Sequence, residues 1–335
     1  MERGQHLPGE FELIARYFAP LAKGFPGAFG LTDDAAVIAP EHGHELVAKT
    51  DAIVGGVHFL ADEPPDLIAR KALRVNLSDL AAKGAVARAY MLDLMLPRAL
   101  DEAWVCGFAH GLAEDQKEYG IHLIGGDTDM TPGPVTIAIM AFGEIAVGRM
   151  IQRGGARAGD TIFVTGTIGD AALGLAVLRG ALPELDPTSV AFLAGRYQVP
   201  LPRVTVGPRL VGLATAALDV SDGLAADLGH ICEVSALAAI LQAPSIPLSA
   251  AARAALLAQP GLLASVLTGG DDYEILFTAD PASEAEIARL AQAVGVPITA
   301  IGTMVAASSA AEHRVSVLDA TGRHVVFDHE GWTHF

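Results

Sequence analysis

Asp66-Leu-Ile-Ala-Arg-Lys-Ala-Leu-Arg-Val-Asn-Leu-Ser-Asp-Leu-Ala-Ala-Lys83, followed after a short gap by Ala89-Tyr-Met-Leu-Asp-Leu-Met-Leu-Pro97, decides how this chain is read. The first run is long and helical in pattern; the second is short, apolar and stopped by a proline, as a buried strand would be. Working outward, residues 9–20 carry apolar side chains at helical spacing up to Pro20, and residues 35–39 and 45–49 read as strands. Downstream come a helix over 102–119, a short strand over 122–124 that ends at Gly125-Gly126, and a buried strand over 135–142. Strands alternating with helices indicate an α/β domain. Residues 148–159 hold four glycines and three arginines without apolar periodicity, so we place the boundary there, giving domains 1–147 and 148–335. The second domain reads as a strand over 161–165, a turn over 166–169 and a helix over 170–178. Then follow a strand over 213–220 feeding a helix that starts at Ser221 or Asp222, a strand over 274–278 and a helix over 283–294. The fold class is therefore α/β (α+β) in two domains.

Half of the 335 residues are hydrophobic and only 18% are charged, which is a globular composition. No apolar run approaches the ~18 residues that cross a bilayer, and the first residues lack a basic start followed by an apolar stretch, so a cytoplasmic location is expected. The formal charge of −17 argues against nucleic-acid or anionic-membrane partners, which need a basic surface. Two cysteines, Cys106 and Cys232, are too few for a disulfide framework and are read as buried thiols.

The helix quoted first has a defect in its apolar pattern: Asn76, Ser78 and Asp79 interrupt Ala72, Leu73, Val75, Leu77, Leu80 and Ala81. Four more acidic segments break apolar stretches in the same way: Asp33-Asp34, Thr50-Asp51, Asp127-Thr128-Asp129 and Asp219-Val-Ser-Asp222. Each has an ordinary explanation, as a turn, a helix cap or an ion pair of Asp79 with Lys83. Five together point to a shared cation, because ionised carboxylates in apolar surroundings are costly without a partner. With no Cys or His cluster alongside, the donors suit a hard ion such as Mg2+, which shares itself with phosphates. The glycines before Asp127 would let a phosphate approach the backbone. The chain has no P-loop, no dinucleotide-binding glycine fingerprint and no His-Glu-x-x-His.

These residues resemble the thiamine-monophosphate kinase family. The matching segments are Leu31-Thr-Asp-Asp-Ala-Ala-Val37, Thr50-Asp-Ala-Ile-Val-Gly-Gly-Val-His-Phe59, Lys71 through Gly84, Gly125-Gly-Asp-Thr128, Leu218-Asp-Val-Ser-Asp-Gly-Leu224 and Gly269-Gly-Asp-Asp-Tyr-Glu274. The resemblance implies the aminoimidazole-ribotide synthetase-like fold, with N-terminal domains pairing in a homodimer. It implies transfer of the ATP γ-phosphoryl group onto thiamine monophosphate, with several Mg2+ ions and no phosphoenzyme. By motif match, Asp34, Thr50, Asp51, Asp79, Asp127, Asp219 and Asp222 would hold metal. Gly126, Asp127, Arg153 and Ser221 would contact ATP, and His58, Asp271 and Trp332 the thiamine substrate. The chain departs from the family pattern at Thr32, where Gly is frequent, at Lys49, where Ser or Thr is common, and at Asp271, where Glu is usual. Two other readings remain: a superfamily relative that uses ATP on another acceptor, and a non-catalytic nucleotide- or metal-binding protein.

Overall fold

The computed structural model describes residues 7–307, 314–325 and 331. They divide into two compact units, residues 1–80 with 85–148, and residues 81–84 with 149–335.

In the first unit, α1 (Glu10–Leu13) runs into successive helical turns at Ile14–Phe18, Ala19–Ala22 and Pro26–Leu31. The single helix expected over 9–20 is thus a chain of different turns. Pro20 has no N–H to donate, and the backbone there tightens into a 3-10 turn. Then follow β1 (His44–Val54), α2 (Pro65–Ala82), β2 (Val86–Pro97), α3 (Glu102–Tyr119), β3 (His122–Thr131) and β4 (Thr136–Ala146). The Asp101 carboxylate accepts the Trp104 N–H at 3.0 Å to start α3, and Gly120 at φ 67° closes it.

The sheet order is β1-β4-β2-β3, with β2 and β3 parallel and the other neighbours antiparallel. Its register sorts side chains onto two faces. Ile53, Ile137 and Leu94 stand in line, as do Asp51, Ile139 and Leu92, and Lys49, Ala141 and Tyr90. This inner face meets the helices: Leu80 of α2 lies against Gly143, and Gln116 of α3 bonds the Tyr90 hydroxyl. The two helices cross closely where Gly111 faces the Asp66 backbone, a contact that leaves no room for a Cβ. The outer face carries Leu46, Ala48, Thr50 and Ala52 of β1 beside Ala138, Met140 and Phe142 of β4.

Two sequence expectations change here. Residues 35–39 form no strand; Val37 N–H donates to the Gly27 carbonyl at 2.8 Å, and Ala36 and Ile38 instead pack on the outer face with Ala89, Ile124 and Met91. The strands over 45–49 and 122–124 are longer than expected, so Asp51 and Asp127 lie inside strands rather than after them.

In the second unit come β5 (Thr161–Thr165), α4 (Asp170–Leu178), α5 (Pro187–Gln198), β6 (Ala214–Asp219), α6 (Leu224–Ser235) and β7 (Leu237–Gln242). After these come α7 (Ala250–Ala258), α8 (Leu263–Thr268), β8 (Ile275–Ala279), α9 (Glu284–Val294), β9 (Ile298–Ala306) and β10 (Val315–Leu318). The sheet order is β10-β7-β9-β5-β8-β6. Alternate residues feed two cores. Ile162, Val164, Leu218 and Leu276 join one with Leu173, Leu193, Leu228 and Val266 of the helices, and Phe163, Ala217, Ile275 and Phe277 join the other with Ile287 and Leu290 of α9. No helix of the described residues is long and apolar enough to cross a membrane. Cys232 is buried as expected, whereas Cys106 is exposed, because its position on α3 turns away from the core.

Candidate active site

The first unit has a cavity of about 660 Å3 between the N-terminal segment and the outer edge of β2 and β3. Phe11, Ile14, Phe18, Leu31, Met91 and Ile124 wall it, and Asp33, Asp34, Gly126 and Asp127 line it as well. One irregularity brings Asp127 there. The register of β3 shifts between Tyr90 and Met91, so Ile124 is an extra residue and Asp127 pairs with Asp93. Without that bulge Asp127 would stand one place on and face the helices. Gly126, at φ 143°, has the Leu92 backbone where a Cβ would be, so only glycine fits. Both acids are exposed and locally anchored: Asp33 Oδ1 accepts the Asp34 N–H at 2.8 Å, and Asp127 Oδ1 accepts the Thr128 N–H at 2.8 Å. The structure thus brings Asp34, Gly126 and Asp127 to one cavity.

Asp51 and Asp79 meet elsewhere in the same unit, on the inner face. Between them stands the Lys49 ammonium, 3.2 Å from Asp51 Oδ2 and 2.7 Å from Asp79 Oδ2. Lys49 and Asp51 are two residues apart on one strand and so share a face, while α2 supplies Asp79 from above. Burial raises the Asp51 carboxyl above its ordinary pKa; the Lys49 charge opposes this and the Asp79 charge adds to it. Asp79 thus pairs with Lys49, and the Lys83 ammonium donates to the Ala217 carbonyl at 2.6 Å. Thr50 points the other way, to the exposed outer face. His58 Nδ1 accepts the Val54 N–H at 3.1 Å, and the His58 carbonyl accepts Lys71 Nζ at 2.8 Å, which fixes the turn after β1.

In the second unit, Asp219 ends β6 and is 5% exposed. The helix does not begin at Ser221 or Asp222: α6 starts at Leu224, after an open loop. That loop is shaped by a residue the sequence reading missed. Asp227 Oδ2 accepts the N–H groups of Ser221, Asp222 and Gly223 at 3.0, 3.0 and 3.1 Å. Burial, and then the charge of Asp222, raise the Asp227 carboxyl to about 7, against the pull of these three bonds. Asp222, Asp227 and His230 present ligand atoms within 4.8 Å of one another. An Asp five residues after Asp222 in a helical run was the available signal, but it looks like any first-turn acid. Asp271 joins the same loop: its N–H donates to the Ser221 carbonyl at 2.9 Å, its carboxylate accepts the Tyr273 hydroxyl at 3.0 Å, and its φ is 70°. Arg153 is exposed. Trp332 lies outside the described residues.

Two family models cover most of the chain: AIR synthase related protein, N-terminal domain, over residues 32–145, and AIR synthase related protein, C-terminal domain, over residues 157–313. The thiamine-monophosphate kinase of Caulobacter vibrioides is 42% identical over 330 residues, spanning 98% of this chain and 91% of the relative. Among solved structures, the thiamine-monophosphate kinase of Stenotrophomonas maltophilia is 39% identical at a TM-score of 0.82, covering 94% of this chain and 98% of that one. AaThiL complexed with AMPPCP and TMP is 28% identical at a TM-score of 0.77, covering 92% of this chain and 97% of that one. With both domains matched in order and the identity sustained along nearly the whole length, this chain belongs to the thiamine-monophosphate kinase family of AIR synthase related proteins.

Proposed function

We propose that the chain transfers the γ-phosphoryl group of ATP onto the phosphate of thiamine monophosphate, giving thiamine diphosphate and ADP. The observation that carries this reading is the near full-length similarity to thiamine-monophosphate kinases, one relative of which was solved with an ATP analogue and TMP together. The acid-lined, glycine-floored cavity is consistent with it.

Mg2+ fits the donor chemistry of the expected ligands: Asp34 and Asp127 in the first unit and Asp219 and Asp222 in the second offer only carboxylate oxygen, the donor that a small hard cation takes. Bound there, it would offset the repulsion between two phosphate-bearing substrates and align them in line. Asp51 and Asp79 are the exception, because the Lys49 ammonium already stands between them. Thr50, their expected companion, could reach the inner face only through its backbone.

The remaining roles belong to the protein. Gly126 lets phosphate oxygens approach β3, while Arg153 and Ser221 meet the nucleotide. In the second unit Asp271 supplies a negative charge for the cationic thiazolium of thiamine, and His58 and Trp332 are the other residues assigned to the thiamine substrate. The acceptor phosphate has a second pKa of about 6, so it is already substantially ionised near neutral pH and needs no strong general base.

The reading extends to a homodimer through the outer sheet face, where Leu46 and Met140 are 37% and 43% exposed beside Ala48 and Ala52. A monomer in sedimentation at micromolar concentration would remove that part. It extends also to a cytoplasmic location, where ATP is at hand and the unpaired cysteines stay reduced. The deciding experiment incubates the purified protein with ATP, Mg2+ and thiamine monophosphate. Matched ADP and thiamine diphosphate, absent without Mg2+, are expected. Neither product from folded, metal-loaded protein would reject the reading.

A further inference from the structure

The Asp51–Asp79 pair is balanced from within the chain. Lys49 Nζ lies at hydrogen-bonding distance from both carboxylates, 3.2 Å from Asp51 and 2.7 Å from Asp79, and the three side chains are held by rigid elements, two on β1 and one on α2. None of the three is fully exposed: Asp79 is 15%, Lys49 29% and Asp51 40% accessible at the side chain. The ammonium is also tethered two residues from one of its partners, so its local concentration is high and no ion has to be recruited from solution. A divalent ion binding the same two oxygens would sit about 2.0–2.1 Å from them and would have to expel the ammonium or bear its repulsion.

We propose that Lys49 is a built-in cation of this active site, occupying with its ammonium a position between Asp51 and Asp79 that would otherwise load a divalent metal ion. The chain therefore carries one divalent ion fewer than its set of carboxylates would suggest, and the Lys49 side chain holds α2 to β1 whether or not metal is present. Lys49 is a positioning residue here: it fixes the two carboxylates and sets their net charge at −1 rather than −2. The inference rests on the kinase reading only for the involvement of divalent ions.

The test counts ions without substrate, so its failure is distinguishable from failure of the kinase reading. Mn2+ alone is titrated into the full-length protein and into Lys49→Thr and Lys49→Thr/Asp79→Asn, with free Mn2+ followed by electron paramagnetic resonance and folding checked by circular dichroism. Lys49→Thr is expected to bind one Mn2+ more than the unaltered protein, or to bind one at least tenfold more tightly, and the double variant to lose that gain. Equal stoichiometry and affinity in the unaltered protein and Lys49→Thr would overturn the proposal. Should Lys49→Thr not fold, anomalous diffraction from Mn2+-soaked crystals of the unaltered protein decides: a peak bridging Asp51 and Asp79 overturns it, and a clear ammonium there with Mn2+ elsewhere sustains it.

Discussion

Removing the Asp115 carboxylate should destabilise the first unit far more than removing the partly exposed Arg70 that also contacts it. Asp115 on α3 is fully buried and accepts Arg74 Nε at 2.7 Å, Arg74 Nη2 at 2.8 Å and Arg70 Nε at 3.0 Å. Arg74 on α2 is 1% exposed, and burial works against its charge while Asp115 works for it. In Asp115→Ala the guanidinium stays buried without its closest carboxylate partner, with Glu118 at 2.8 Å and the Tyr119 ring at 5.0 Å among the contacts that remain. Losing one partner of a buried pair costs roughly 3–5 kcal/mol. Arg70 is 29% exposed and makes a single close contact with Asp115, so Arg70→Ala should cost under about 1 kcal/mol. Replacing both charges, as Arg74→Met with Asp115→Leu, removes the buried pair together and leaves neither of its members unmatched, so it should cost much less than Asp115→Ala alone. The assay is urea unfolding followed by the fluorescence of Trp104, which stacks on Phe108 within this unit, in a Trp332→Phe background. With m near 2 kcal/mol/M, the Asp115→Ala midpoint should fall by about 2 M at unchanged m. A shift no larger than that of Arg70→Ala, or a double replacement as damaging as the single one, would refute the reasoning.

Three further outcomes are expected. Asp127→Asn keeps the fold and the Thr128 turn but removes charge from the cavity, so turnover should fall to background while circular dichroism is unchanged; near-normal turnover at saturating Mg2+ would take Asp127 out of the metal set. Asp271→Ala should weaken thiamine-monophosphate binding at least tenfold with ATP binding largely kept, and calorimetry showing the reverse would move Asp271 to the nucleotide side. Burial raises the Asp272 carboxyl to about 8, against the N–H groups of Gly169 and Ala171. With an unfolded value near 3.9, the folded chain holds more protons at this site between about pH 4 and pH 8. Its contribution to stability is full below that window and lost as pH rises through it. Denaturation midpoints should decline from pH 5 to pH 8, and the decline should flatten in Asp272→Asn; an unchanged slope in that variant would exclude Asp272 as the source.

The architecture was legible wherever periodicity was strong. The helix over 102–119 and the strand over 161–165 match their observed bounds, because Asp101 and Gly120 mark the ends of the helix and Gly166 follows the strand. The strands bearing site residues were cut short, since Thr50-Asp51 and Gly125-Gly-Asp127 look like turns when only local composition is weighed. What extends them is pairing with neighbours distant in sequence. The acidic segments were readable as candidates, but their grouping was not. That Asp34 and Asp127 line one cavity depends on a bulge at Ile124, and that Lys49 lies between Asp51 and Asp79 depends on strand continuity past residue 49. Asp227 escaped notice because its work is done on backbone N–H groups, which leave no trace in composition.

The β1–β4 ladder runs for eleven consecutive pairs without a register shift, unlike the pairings of β2 with β3 and with β4. Lys49 and Asp51 alternate along it with Ala48, Thr50 and Ala52. A slip of one residue would exchange the two sets, carrying the charges to the outer face and pressing Thr50 and the alanines against α2. Such a misfolded form would lose its ion pair to Asp79 and its apolar outer surface in one step, so quality control and enzymatic competence become a single event. The ladder's regularity thus acts as proofreading of the chain's own assembly, with Lys49 reaching Asp79 only when every rung is in place.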